Sequence, residues 1–283
     1  MAVKRLGVVG SGVMGSGIAE VAARAGCEVV VLSRRPETAA ATAVALERSL
    51  AKQVDRGKIA REERDAIVSR IVATCDFDDL AACDLVVESI VEDLAAKRQL
   101  FEQLDRICPQ GVILATNTST LAVTDLALAT GRPDRVCGIH FFNPAPVMGV
   151  VELVRPLTAS EETIAECRAF AEACGKRAVE VQDRAGFIVN ALLFPYLNNA
   201  AAMFDAGIAS RDDIDAAMKG GCGFPMGPLA TLDLVGLDTS VAILDVLHRS
   251  LGDANYAPAP VLRQMVAAGS LGRKSGRGFF EYR

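Results

Sequence analysis

Two short stretches of this 283-residue sequence carry residue types at spacings that suit chemistry. The first is Gly10-Ser11-Gly12-Val13-Met14-Gly15, a G-x-G-x-x-G that ends an apolar run at 6–10 and opens an amphipathic stretch at 14–25. In a strand–turn–helix unit the first glycine permits the tight turn and the second lets the backbone approach a pyrophosphate. The third lets helix and strand pack closely. Phosphate then rests on unpaired N–H groups at the helix N-terminus. The return to a second apolar run at 28–32 supplies the context that a glycine turn alone lacks. The second stretch is Gly138-Ile139-His140-Phe141-Phe142-Asn143-Pro144, which holds one of only two histidines. It stands at the end of an expected strand, where parallel sheets open their ligand crevice, and imidazole is a natural acid or base near neutral pH. Position alone leaves a structural and a catalytic histidine both open. His248, in a charged helix tail, reads as a surface residue.

A dinucleotide's ribose is expected to meet a side chain about 20 residues past the glycines, at the end of the second strand. Ser33-Arg34-Arg35 stands there in place of Asp or Glu. A carboxylate would repel a 2′-phosphate, whereas a hydroxyl and a guanidinium would accept it, so these residues favour NADP, with NAD as the alternative. The competing reading of Arg34 and Arg35 is solvated charge after a strand.

The elements that must hold these groups follow from apolar periodicity. Strands are expected at 6–10, 28–32, 70–74, 84–88 and 112–115, with shorter ones near 135–140 and 150–153. Continuous apolar runs alternating with helices imply a Rossmann-type, doubly wound, mostly parallel sheet. A charged helical insert at 36–68 starts at Pro36 and is broken in two by Gly57. Beyond 183 the pattern becomes all-helical, beginning with an almost wholly apolar stretch at 187–204 that carries Pro195. The expected domains are therefore a dinucleotide-binding domain at 1–183 and a helical substrate and dimerisation domain at 184–283.

Composition narrows the class. Hydrophobic residues make up 51% of the chain and the net charge is −5, which argues against a disordered chain and against nucleic acid as a partner. No apolar run reaches a membrane span, and the opening residues leave no room for a signal peptide, so a cytoplasmic protein is expected. The eight cysteines form no C-x-x-C pair and read as buried thiols, with no metal site.

Six motifs in order bring a family into view. They are Ala115-Thr116-Asn117-Thr118-Ser119-Thr120, the segment from His140 to Pro144, Val151-Glu152-Leu153-Val154, and Gly186-Phe187-Ile188-Val189-Asn190. Pro225-Met226-Gly227-Pro228 and Leu271-Gly272-Arg273-Lys274-Ser275-Gly276-Arg277-Gly278-Phe279 complete the set. Together they resemble the 3-hydroxyacyl-CoA dehydrogenases, most of all the 3-hydroxybutyryl-CoA type, over residues 5–282. The resemblance implies interconversion of (S)-3-hydroxyacyl-CoA and 3-ketoacyl-CoA by hydride transfer with NAD(P). By motif, His140 becomes the base and Glu152 the group that orients it, while Ser119 and Asn190 contact substrate. Oxidising a secondary alcohol requires the hydroxyl proton to leave, and a carboxylate on the far ring nitrogen fixes the tautomer and stabilises imidazolium. Asn190 opens the helical domain, so the site is expected where the domains meet.

To the cofactor set of Gly10, Gly12, Val13, Met14, Gly15, Ser33 and Arg34 the resemblance adds Asn117, and it adds Glu92 and Lys97 as residues beside the cofactor that either bind it or support the site. Lys52 and Arg56, on one face of the insert helix, are implied to meet CoA phosphates. Departures from the family pattern are Ser33 for its usual aspartate, Gly223-Phe224 before Pro225, and Gly149, and they leave acyl length open. A dehydrogenase of a free hydroxy or sugar acid is one rival, opposed by Lys52 and Arg56. A catalytically silent dinucleotide-binding protein is the other, opposed by the intact Ser119, His140, Glu152 and Asn190. The apolar stretch at 187–204 needs more cover than about 100 residues provide, so a homodimer through the helical domain is expected.

Overall fold

A computed structural model describes residues 3–282 and divides into two compact units that part between Arg184 and Ala185. The first unit is built on eight strands: β1 (Arg5–Val9), β2 (Glu28–Leu32), β3 (Ile71–Thr74), β4 (Leu85–Glu88), β5 (Ile113–Thr116), β6 (Val136–Phe141), β7 (Val150–Arg155) and β8 (Arg177–Gln182). Their order across the sheet is β3-β2-β1-β4-β5-β6-β7-β8. All neighbours run parallel except β6 and β7. The order reverses between β1 and β4, the switch point where such sheets open a crevice at the carboxyl ends of their strands. Helices α1 (Val13–Arg24), α2 (Pro36–Asp55), α3 (Arg61–Val68), α4 (Leu94–Ile107), α5 (Val123–Ala127) and α6 (Glu161–Ala173) accompany the sheet.

β4 and β5 are buried at every position, which their unbroken apolar runs require. The insert forms as α2 and α3, with Pro36 in the first turn and Gly57 at φ +66° between them. Gln53 Nε2 donates to Glu20 Oε1 at 2.8 Å, fastening the far end of α2 to α1. β8 has no counterpart among the expected strands. It is an edge strand carrying Arg177, Glu180 and Gln182, and such charges hide the apolar alternation while discouraging edge-to-edge pairing.

The second unit holds α7 (Val189–Asp205), α8 (Arg211–Cys222), α9 (Pro228–Val235), α10 (Leu237–Leu251) and α11 (Pro260–Ala267). Helix α7 starts two residues later than its apolar pattern, because Phe187 takes a left-handed φ of +50°. Its core packs Phe194 and Leu197 with Leu229, Leu232, Leu244 and Leu262. The tail is pinned by the wholly buried Asp233, which accepts from the N–H groups of Phe279 and Phe280, each at 2.9 Å. The described residues of this unit form no strand, only isolated bridges at Gly272, Arg277 and Glu281. The cysteines also need correction: Cys75 lies in a turn after β3 and Cys222 ends α8, and both are exposed. No described helix is long and apolar enough to cross a membrane, and the described residues hold no metal-ligand cluster.

Candidate active site

The glycine loop joins β1 to α1. Gly10 has φ +115°, and a Cβ there would stand 2.4 Å from the carbonyl oxygen of Ser89. A Cβ on Gly15 would stand 1.8 Å from the carbonyl oxygen of Gly10, so this glycine sets how closely α1 approaches the turn. Gly12 is different in kind, since a Cβ there would meet no heavy atom within 4 Å. Its lack of a side chain serves approach from outside. No side chain caps the N-terminus of α1, and no acidic residue lies in its first turn. These features fit the pyrophosphate of a dinucleotide.

At the end of β2, the Ser33 N–H donates to the Thr74 carbonyl at 2.8 Å. Ser33 is only 4% exposed, and its Oγ has no hydrogen-bond partner among the described residues. Arg34 and Arg35 are exposed, and Arg35 caps α2 through its N–H on Thr38 Oγ1 at 3.2 Å. Of the three, Arg34 is thus the exposed residue without a capping duty. Lys52 lies in the last turn of α2 and Arg56 is its C-terminal cap, one turn on. Both are exposed, and neither forms an ion pair among the described residues.

The antiparallel β6–β7 pair places His140 directly opposite Glu152. Directly opposed residues project on one face, which brings two side chains twelve positions apart into contact. The His140 Nδ1 lies 2.7 Å from Glu152 Oε2, with the residues 6% and 1% exposed. The Phe142 ring centroid is 4.6 Å from that of the imidazole. Asn117, just past β5, accepts the Phe141 N–H on its side-chain oxygen at 2.8 Å and so fixes the backbone next to the histidine. Its own N–H donates to the Glu88 carbonyl at 2.8 Å.

Ser119 lies in a loop governed by Glu92. One oxygen of Glu92 accepts from Thr118 Oγ1 at 2.6 Å, from the Ser119 N–H at 2.9 Å and from Ser119 Oγ at 3.3 Å. The Thr120 N–H and Oγ1, each at 3.1 Å, complete the set. Burial pushes the Glu92 carboxyl up, but the Lys97 charge and these hydrogen bonds outweigh it and hold it below the usual carboxylate range. Lys97 is only 1% exposed, and its Nζ lies 2.6 Å from Glu88 Oε1 and 3.3 Å from Glu92 Oε2. The structure therefore packs Lys97 behind Glu92. Glu88 belongs to this cluster and was not singled out from the sequence, although an acid ending the apolar run Leu85-Val86-Val87 was the available signal.

The expected residues thus form two groups in the first unit: His140 with Glu152, next to which Asn117 holds the Phe141 backbone, and Ser119 with Glu92 and Lys97. Ser89 stands beside the glycine loop, donating its N–H to Val9 at 2.7 Å. Lys52 and Arg56 lie on the insert. Asn190 is the second residue of α7 in the other unit, after the left-handed pair Gly186 and Phe187.

Residues 5–184 match the NAD binding domain of 3-hydroxyacyl-CoA dehydrogenase, and residues 186–282 match the C-terminal domain of the same family. The chain is 47% identical over 282 residues to a probable 3-hydroxybutyryl-CoA dehydrogenase of Bacillus subtilis, covering 100% of this chain and 98% of that protein. Among solved structures it is similar to FadB2 of M. tuberculosis, with a TM-score of 0.98, 45% identity and 100% of both chains covered. It is also similar to the (S)-3-hydroxybutyryl-CoA dehydrogenase PaaH1 from Ralstonia eutropha, with a TM-score of 0.96, 40% identity and 100% of both chains covered.

Proposed function

The chain belongs to the 3-hydroxyacyl-CoA dehydrogenase family, and from that premise we propose that it interconverts (S)-3-hydroxybutyryl-CoA and acetoacetyl-CoA with NADP. The observation that carries this reading is the His140–Glu152 contact of 2.7 Å near the carboxyl end of β6. Glu152 occupies Nδ1, so Nε2 is the nitrogen on which His140 exchanges a proton with the substrate oxygen. The carboxylate holds the ring in one tautomer and balances the imidazolium formed when the alcohol loses its proton. With substrate bound, the Ser119 hydroxyl turns its one proton from Glu92 to the reacting oxygen while its backbone N–H stays on Glu92, and the Asn190 amide donates to the thioester carbonyl.

A bound nicotinamide supplies the acceptor or donor of hydride. The loop from Gly10 to Gly15, with the backbone of Val13 and Met14, holds the pyrophosphate, and Arg34 holds the 2′-phosphate. Asn117 and Glu92 border the nicotinamide end, with Lys97 acting from behind by steadying Glu92. Initial rates with acetoacetyl-CoA and longer 3-ketoacyl-CoAs, each with NADH and NADPH, test this reading. The four-carbon substrate with NADPH is expected to give the highest kcat/KM. Failure of every 3-ketoacyl-CoA would refute it.

Lys52 and Arg56 meet the phosphates of CoA in this reading. Exposed charge contacts contribute less than about 1 kcal/mol each, so replacing both with Ala should raise KM for acetoacetyl-CoA roughly five- to tenfold. The increase should shrink as salt is added. A truncated thioester without the nucleotide should show little change, and an equal rise for both substrates would count against a phosphate role. A homodimer through the helical unit is part of the proposal. Leu192 and Met203 on α7 and Ile208 just beyond it stand exposed in the single chain. Sedimentation at assay concentration should give twice the chain mass.

A further inference from the structure

We propose that Glu88 is a positioning residue for the Ser119 loop, acting through Lys97 and Glu92; the inference rests on the dehydrogenase reading above. Glu88 ends β4 beside the switch point and is 0% exposed. Its Oε1 accepts from Lys97 Nζ and from the Ile90 N–H, each at 2.6 Å. Its Oε2 accepts from Thr116 Oγ1 at 2.6 Å. Lys97 Nζ also lies 3.3 Å from Glu92 Oε2, and Glu92 Oε1 receives the five donors of Thr118, Ser119 and Thr120. An ammonium shared by two carboxylates thus leads from the sheet interior to the hydroxyl proposed to hold the reacting oxygen.

Stability alone does not account for the arrangement. A buried ion pair recovers little more than its desolvation cost, and apolar replacements of such pairs are often neutral or stabilising. Geometry is what the relay supplies. Glu88 draws Lys97 to its shorter contact, which leaves Lys97 a longer one to Glu92 and keeps Glu92 Oε1 rich in charge for the loop donors. With Glu88 neutral, the ammonium is drawn to Glu92, and the acceptor that orients Ser119 weakens and shifts. The backbone carbonyl of Glu88 also accepts from Asn117 at 2.8 Å, a link that side-chain substitution leaves in place. A side-chain variant therefore reports on the carboxylate route alone.

The test is a double-mutant cycle on the full chain, reading kcat and KM for acetoacetyl-CoA together with Tm. Glu88→Gln should lower kcat about tenfold, the loss of one charge-assisted contact, with KM within about twofold. In a Ser119→Ala background the same change should alter kcat by less than about twofold, because the route ends at Ser119. The Glu88→Gln, Lys97→Met pair removes both halves of the buried Glu88–Lys97 ion pair, and with it the ammonium that steadies Glu92. It should recover Tm while kcat stays low, and it takes the place of Glu88→Gln in the cycle if the single variant does not fold. Three results would each overturn the proposal: a Glu88→Gln kcat within about twofold of wild type, full multiplication of effects in the Ser119→Ala background, or wild-type kcat regained by the paired variant. Wild-type turnover in the same assay separates the two readings, since its absence refutes the dehydrogenase assignment itself.

Discussion

Replacing His140 with Ala should lower kcat for acetoacetyl-CoA reduction by about 10²–10⁴-fold, the range for loss of a general acid or base. The expectation rests on the 2.7 Å contact with Glu152, whose carboxylate is nearly as inaccessible as the sheet core. A buried carboxylate aimed at one ring nitrogen commits the other to proton transfer and favours the charged ring that transfer creates. Glu152→Gln keeps the shape but removes that charge, so it too should slow ketone reduction. Neither change touches the glycine loop, and the dissociation constant of the reduced dinucleotide, followed by its fluorescence, should remain within about twofold of wild type. A His140→Ala enzyme turning over within about twofold of wild type would remove the histidine from the mechanism.

NADPH should be preferred over NADH by roughly 10–100-fold in kcat/KM, the equivalent of one good guanidinium–phosphate contact of about 1.5–3 kcal/mol. In the proposed reading two neighbours divide the labour. Ser33 is buried, so its contribution is the repulsion it does not exert, whereas Arg34 is exposed and supplies the positive charge. Arg34→Ile should therefore take away most of the NADPH advantage. Ser33→Asp with Arg34→Ile should reverse it, because a carboxylate repels a 2′-phosphate of about −2 charge while accepting ribose hydroxyls. The two values of kcat/KM must be compared at one ionic strength. A value for NADH equal to or above that for NADPH would refute the assignment.

The sheet was readable wherever strands are buried on both faces, because Leu85-Val86-Val87 and Val29-Val30-Val31 admit few other readings. β8 escaped because an edge strand mixes charge into its pattern. The reversal of β7 was within reach, since residues 142–149 between β6 and β7 are too few for a parallel crossover of a dozen or more. Without that reversal the twelve-residue interval between His140 and Glu152 has no meaning, which is why only the family resemblance linked them. The burial of Ser33 was not readable, nor was the choice of Lys97 as a packed support over a binding residue. Both depend on which neighbours the sheet order brings alongside, β3 for the first and Glu88 for the second.

The most direct measurement is the oxidation of reduced dinucleotide by the wild-type enzyme with acetoacetyl-CoA and, separately, with free acetoacetate, followed by chiral analysis of the product. The account predicts rapid turnover of the thioester to (S)-3-hydroxybutyryl-CoA, collapse of that rate in His140→Ala, and little or no turnover of the free acid. Acetoacetate reduced as fast as its thioester, or no reduction of acetoacetyl-CoA with either dinucleotide, would contradict it.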